Sequence, residues 1–327
     1  MNPAVSILVP VYNVSNYIER CVRSLFEQTF EDIEYVFIDD ASPDNSIEIL
    51  NKILLDYPNR INQVKIISHD KNKGLAVARN TALDNCTGNY IVVVDSDDYI
   101  ETDMVYELHN TAIQNKADIV VFDMQVEGKN NQPVELISND YNISKNELFE
   151  KIITNDYCHS LCILFVIREL YLRQECRVPS GLNFFEDYHV AVRLIYFATT
   201  IHKINKVFYH YSFLNESSIT KGVSEMHFKN TIDFWKHLDR FLVSESLFDN
   251  YKNKLDITKI TQKIHLIFES ENRIVRRNFF DMFSEEELRC EKYFKKGERF
   301  SLWLLRHKCF FIFELYLFLV KYKNKKK

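Results

Sequence analysis

Tyr90-Ile91-Val92-Val93-Val94-Asp95-Ser96-Asp97-Asp98 decides how the rest of the chain is read. An unbroken apolar, β-branched run fits a strand covered on both faces, as in a parallel sheet flanked by helices. It gives way at once to acids. Side chains two apart on a strand point the same way, so the pattern presents Asp95 and Asp97 together at the sheet's edge. Carboxylates that close repel, and a divalent cation relieves the repulsion. Their hard oxygens suit Mg2+ or Mn2+. A solvated acidic turn ahead of the next helix is the plainer explanation. The position after an all-apolar strand favours the metal.

Outward from this stretch, strand and helix signals alternate. Residues 5–9 read as a strand ending at Pro10-Val11-Tyr12-Asn13. Ile18, Cys21, Val22, Leu25 and Phe26 follow at helical spacing, with Asn16 and Glu19 resembling a capping box. Residues 35–38 form a second strand ending at Asp39-Asp40, where one carboxylate suits a base or ribose and an Asx turn is the alternative. Ile47, Leu50, Ile53 and Leu54 mark a helix, residues 64–67 a strand, and residues 75–83 an alanine-rich helix. Val105, Leu108 and Ala112 suggest another helix, and residues 119–122 another strand. This β-α-β-α order predicts an α/β fold: a mostly parallel sheet with helices on both faces. Ligands of such sheets sit beyond the strands' carboxyl ends. Tyr12-Asn13, Asp39-Asp40 and the Asp95–Asp98 acids should therefore converge.

Two further motifs bear on that edge. Arg79 projects from the helix opened by Lys73-Gly74-Leu75-Ala76, toward a phosphate or a strand-end carboxylate, or simply toward solvent. Glu186-Asp187 precedes Val190, Leu194 and Phe197, so the acids lie at a helix N-terminus, where negative charge is favoured. Residues 126–143 read as a polar connection, and Ser144 with Glu147 as the start of a helix. From Phe228 onward the pattern is helical. Phe228, Ile232, Trp235, Leu238 and Leu242 make one stripe, and Ile257, Ile260, Ile264, Ile267 and Ile274 another. Ser284 and Glu287 repeat the capping signature. The expected organisation is 1–125 as a nucleotide-binding half, 126–225 as an acceptor-side half, and 226–327 as a helical region with a basic tail.

Composition removes several classes. With 46% hydrophobic and 27% charged residues, the 327-residue chain is globular. A net charge of −5 gives no basic field for nucleic acid. Six glycines build neither G-x-G-x-x-G nor a P-loop, so a bound phosphate would need other partners. Seven scattered cysteines without C-x-x-C fit a reducing compartment. With no secretory signal and no apolar stretch of ~18 residues, the expectation is a cytoplasmic protein.

Taken in order, residues 5–13, 37–42, 72–80 and 94–99, together with Phe185-Glu186-Asp187-Tyr188, resemble the family 2 glycosyltransferases of GT-A fold. The resemblance covers roughly residues 3–220 and implies transfer of a sugar, with inversion, from a nucleotide-sugar donor, with a UDP-sugar the expected one, to an acceptor hydroxyl. By position it implies Pro10 and Tyr12 against the nucleobase, Asp40 bonded to the base, and Arg79 and Ser96 near the nucleotide. Asp95 and Asp97 would hold ribose and metal, with Asp97 the better metal ligand and Mn2+ or Mg2+ the cofactor. Asp187 would be the base, with Glu186 as its neighbour or an acceptor contact. The acceptor implied is a growing surface polysaccharide, a lipooligosaccharide or a lipid-linked glycan. His210 and Ser218 occupy the region that closes over the diphosphate in relatives, although a core or loop role suits His210 better.

Residues 300–327 combine aromatic and aliphatic residues with a lysine-rich end, which suits a helix lying on an anionic membrane surface. A helix docked on the core is the alternative. Two other functions fit parts of the pattern. Phosphoryl transfer of the haloacid-dehalogenase type also uses D-x-D after a strand, but wants it on the first strand and a threonine where Tyr99 stands. A non-catalytic sugar-nucleotide or glycan-binding module would not need Glu186-Asp187.

Overall fold

The computed structural model describes residues 2–128, 131–141, 143–212 and 222–324, with side chains as far as residue 320. They fall into two compact units, one up to residue 212 and one from residue 222.

The first unit opens with β1 (Val5–Val11), α1 (Ile18–Phe26), β2 (Ile33–Asp39), α2 (Ser46–Leu54), β3 (Val64–Ser68), α3 (Leu75–Asn85) and β4 (Tyr90–Val93). These strands pair in parallel in the order β3-β2-β1-β4. Every residue of β1 and β4 is buried, which is why both read as largely apolar runs, with Ser6 the one small polar residue in β1. There follow β5 (Tyr99–Ile100), α4 (Met104–Asn115), β6 (Ile119–Glu127), β7 (Pro133–Ile137), α5 (Lys145–Ile153), β8 (Leu164–Ile167), α6 (Arg168–Tyr171), α7 (Glu186–Phe197) and β9 (Ile201–Ser212). The sheet continues β4-β8-β6-β9-β5. Its first half is parallel, while β8 runs antiparallel to both β4 and β6. The α/β class stands, with a mixed second half.

Two local expectations are corrected. Residues 126–143 are more than a connection: β6 runs on to Glu127, and β7 folds back onto it, pairing Met124 with Ile137. The strand is nearly all exposed and begins with a proline, so as an edge strand it carries no buried period to read. Asn16 and Glu19 form no capping box. Helix α1 starts without a side-chain cap, and Glu19 pairs with Arg23 at 3.0 Å. The turn before it is held by Ser46 Oγ and Asp44, which accept from the N–H groups of Val14 and Ser15. Ser144 does cap α5, accepting from Glu147 N.

The second unit is helical: α8 (Glu225–Ser244), α9 (Phe248–Glu269), α10 (Arg273–Asn278), α11 (Ser284–Cys290), α12 (Lys296–Arg306) and α13 (Phe310–Asn324). Trp235, Leu238 and Leu242 bury one stripe, and Ile260 and Ile267 the other. Ile274 falls outside that stripe. The chain leaves α9 before it, and Ile274 is exposed on α10. Ser284 is no cap either, since α11 begins with it. Glu287 instead accepts a hydrogen bond at 2.9 Å from the fully buried Lys263, whose ammonium also donates to Phe280 O at 2.7 Å. Removing one member of a buried ion pair strands the other charge. Glu287→Ala should therefore lose about 3–5 kcal/mol in chemical denaturation, and Lys263→Met in the same chain should restore most of it. Equal stability of wild type and the single variant would contradict this.

Candidate functional site

Strand β4 ends at Val93, so the acids that follow lie in a turn beyond the strand rather than on it. Strand alternation does not set their direction. The turn does, closed by Asp98 N donating to Asp95 O at 3.1 Å. Ser96 and Asp98 are buried beneath it, and Asp95 and Asp97 are partly exposed. Strand β9 clamps the turn from below. Tyr209 Oη donates to Asp98 Oδ2 at 2.6 Å and accepts from Asp95 N at 3.1 Å, while Ser212 N donates to Asp98 Oδ1 at 2.8 Å. Burial, then the charges of Asp97 and Asp95, push the Asp98 carboxyl well above the usual range. Asp98 belongs to the acids expected at this edge, whereas Tyr209 is a contact that the sequence reading does not single out. The order Phe208-Tyr209-His210-Tyr211 was the available signal.

Arg79 is buried, not a surface residue. Its Nη1 donates to Glu186 Oε1 at 2.8 Å and to Asp187 Oδ1, and its Nη2 donates to Asp95 Oδ1 at 3.1 Å. One guanidinium thus gathers three carboxylates from two distant segments. The head of α3 that aims it is fixed on two sides. Gly74 precedes the helix at φ +87°, a left-handed conformation that favours glycine. A Cβ there would also meet Asn183 Oδ1 at 2.7 Å, the atom that accepts from Ala76 N.

Opposite, α7 begins at Glu186, preceded by Phe185 at φ 68°. Both acids sit in the first turn, as expected, where unpaired N–H groups favour negative charge. Asp187 Oδ2 also accepts from Leu161 N at 3.2 Å. Cys162 adds a contact that the scattered cysteines did not suggest: its thiol lies 3.4 Å from Asp95 Oδ2. Burial pushes that thiol far up, so it is a protonated donor and not a nucleophile.

The other strand ends divide. Pro10 is buried in β1 and Tyr12 is 45% exposed just past it. Asp40 is buried, and its two oxygens are engaged by His69 Nδ1 at 2.7 Å and by the N–H groups of Lys73 and Gly74, each at 2.8 Å. Its carboxylate is used to hold the turn that starts α3. Asp39 is partly exposed, with one oxygen accepting from Ser42 N, three residues on, at 2.8 Å, one residue further than an Asx turn reaches. His210 stacks on Tyr99 and bridges Glu101 and Glu127 at 2.8 and 3.1 Å. Ser218 lies outside the described residues.

One cation among three carboxylates leaves the cluster short of positive charge. Burial opposes the charge on Arg79, but Asp187, Asp95 and Glu186 more than restore it. Burial likewise raises both acids of α7 against the pull of Arg79, carrying Glu186 to about 8. Glu186 is the more enclosed of the two, and burial raises both, so the pair holds a proton to higher pH than free carboxylates would. A carboxyl with a raised folded pKa binds protons more tightly folded than unfolded. Its stabilising contribution is complete below the unfolded value of about 4.5 and is lost as pH rises through the folded one. Thermal unfolding should therefore show wild type losing stability between those limits relative to Glu186→Gln. Parallel pH profiles would contradict this assignment.

Residues 6–170 match the family model described as glycosyl transferase family 2. The uncharacterized glycosyltransferase EpsJ of Bacillus subtilis is 35% identical over 194 residues, 58% of this chain and 54% of its own. Chondroitin synthase of Pasteurella multocida is 31% identical over 254 residues, 77% of this chain and 25% of its own. The chain thus spans about half the length of the first relative and a quarter of the second. The crystal structure of S. aureus TarS 1–349 with UDP-GlcNAc superposes with a TM-score of 0.71 at 19% identity, covering 99% of this chain and 92% of that one. That likeness shows the GT-A fold. With its α/β sheet, the acidic turn after β4 and a family match over half its length, the chain belongs to glycosyl transferase family 2.

Proposed function

We propose that the protein transfers a sugar from a UDP-sugar to a hydroxyl of a surface polysaccharide, a lipooligosaccharide or a lipid-linked glycan, with inversion and with Asp187 as base. The observation that carries this reading is the Arg79 cluster. One buried guanidinium joins Asp95 of the acidic turn to Asp187 and Glu186 at the head of α7. A donor-side carboxylate and a base are thereby held at a fixed separation. Two neighbours' names lend support. TarS was crystallised with UDP-GlcNAc, and chondroitin synthase is named for a glycan.

Pro10 and Tyr12 would flank the nucleobase. With Asp40 committed to its own turn, the partly exposed Asp39 becomes the acid offered to base or ribose, and Asp40 acts by shaping that corner. Ser96 sits under the turn and Arg79 behind it. Among the described residues no three His, Cys, Asp or Glu side chains converge to hold a metal on their own. Two carboxylates completed by substrate phosphates is nevertheless a common Mg2+ arrangement. The oxygen donors of Asp97 and Asp95 fit it. Such an ion, Mn2+ or Mg2+, supplies Lewis-acid stabilisation of the charge developing on the diphosphate.

Asp187 takes the proton of the acceptor hydroxyl as its oxygen bonds to the anomeric carbon. The bond from that carbon to the diphosphate breaks on the opposite side, and the electron pair leaves with the nucleotide. Glu186, protonated, keeps a second negative charge away from the attacking oxygen and can donate a hydrogen bond to the acceptor.

Nucleotide release from a panel of UDP-, GDP-, CDP- and dTDP-sugars, with Mn2+ and with EDTA, tests the reading. The UDP-sugar should be turned over only with the metal. Asp187→Asn should retain donor binding by calorimetry and lose transfer by at least ~100-fold. Asp97→Asn should lose metal-dependent binding. Near-wild-type transfer by Asp187→Asn would remove the base assignment, and phosphatase activity without transfer would favour the haloacid-dehalogenase type of chemistry.

A further inference from the structure

Helix α13 is apolar on two sides. It turns Phe313 and Leu317 inward, both buried, and pins itself through Glu314 to Arg276. On the other side Phe311, Ile312, Leu315 and Leu319 are 83%, 51%, 54% and 50% exposed. Positions i, i+1, i+4 and i+8 fall on one face of a helix. An exposed apolar face of this kind on a helix already docked by its other side marks a contact surface. Nearby, Trp303 of α12 is 44% exposed and stacks on His307 with ring centroids 4.5 Å apart.

Positive charge accompanies this face. The exposed Arg277 guanidinium lies 5.0 Å over the ring of Phe310, at the start of α13. Lys308, just ahead of the helix, keeps a side chain 63% exposed while pairing with Asp281 at 3.7 Å. In sequence, five of the last seven residues are lysine. A second copy of this chain would bring like charges together on association. An anionic lipid surface would complement them and take up the apolar side chains. Among the described residues no helix is long and apolar enough to cross a membrane.

We infer that α13, with Trp303 beside it, seats the protein on an anionic lipid surface, lying in the interface with Phe311, Ile312, Leu315 and Leu319 among the acyl chains. This docking stands apart from the transfer reaction and is measured without substrate. Full-length chain is sedimented with phosphatidylcholine vesicles, with and without phosphatidylglycerol. Binding should be strong with the anionic lipid and weaken as salt is raised. The chain has two tryptophans, and Trp235 is 1% exposed, so a blue shift on vesicle addition reports Trp303. Trp303→Phe should remove the shift.

The variant Phe311→Ser/Ile312→Ser/Leu315→Ser/Leu319→Ser changes only exposed positions. It should keep the Trp235 emission of a folded unit and lose partitioning by about a hundredfold or more. Three results would overturn the inference: no sedimentation with anionic vesicles at low salt, equal binding by the four-site variant, or a wild-type dimer that this variant dissociates while neither form binds vesicles. The transfer assay is a separate measurement, so failure here leaves the enzymatic reading standing, and the reverse holds.

Discussion

A buried guanidinium sharing three carboxylates is the constraint on which the candidate site depends. Taking such charges out of water is unfavourable unless each is closely paired, and breaking one pair exposes the cost of the rest. Arg79 and its α7 partners are more than a hundred residues apart in sequence. The helix carrying Arg79 packs against β1 and β2 in the parallel half of the sheet, so its direction is inherited from them. The acids of α7 must then come to it. Asn183 and Gly74 make that approach close, since the amide of one occupies the space a side chain on the other would need.

The same economy governs the acidic turn. Asp95 and Asp97 stand partly exposed because Asp98 is buried beneath them and fully engaged by β9. Tyr209 acts at both ends of the turn, accepting from Asp95 N while donating to Asp98. Two ionisable carboxylates held side by side are therefore supported by a third whose function is structural, and the mixed half of the sheet exists partly to deliver that support.

Much of the first unit was legible in the sequence because β1, β2, β4 and β6 are buried almost throughout and the helices between them are half-buried. Those are the conditions under which hydrophobic period reports structure. Strand β7 was invisible for the opposite reason, being exposed on a sheet edge. Capping signatures held where the side chain had no better partner, as at Ser144, and failed at Glu19 and Glu287, which pair with Arg23 and Lys263. Motif order brought Asp95, Arg79, Glu186 and Asp187 into one set, but spacing could not show that a single cation links them. Nor could it tell Asp39 from Asp40. That distinction rests on which carboxylate the 69–74 turn consumes, a tertiary fact.

The chemistry of the cluster explains why position 79 requires arginine rather than any cation. Lysine would bring one ammonium on a flexible stem to three acceptors lying in different directions. The planar fork serves Asp95 through one terminal nitrogen and both α7 acids through the other. Arg79 Nε, buried without a hydrogen bond, shows that the outer nitrogens set the orientation at the expense of the inner one. A guanidinium also keeps its charge at any working pH, so protons in the cluster move only among carboxyls. Glu186 is more enclosed than Asp187, and burial raises both carboxyls against the pull of Arg79. Environment alone therefore gives three chemically similar carboxylates different exposures, 30%, 10% and 21% for Asp95, Glu186 and Asp187, around one shared partner.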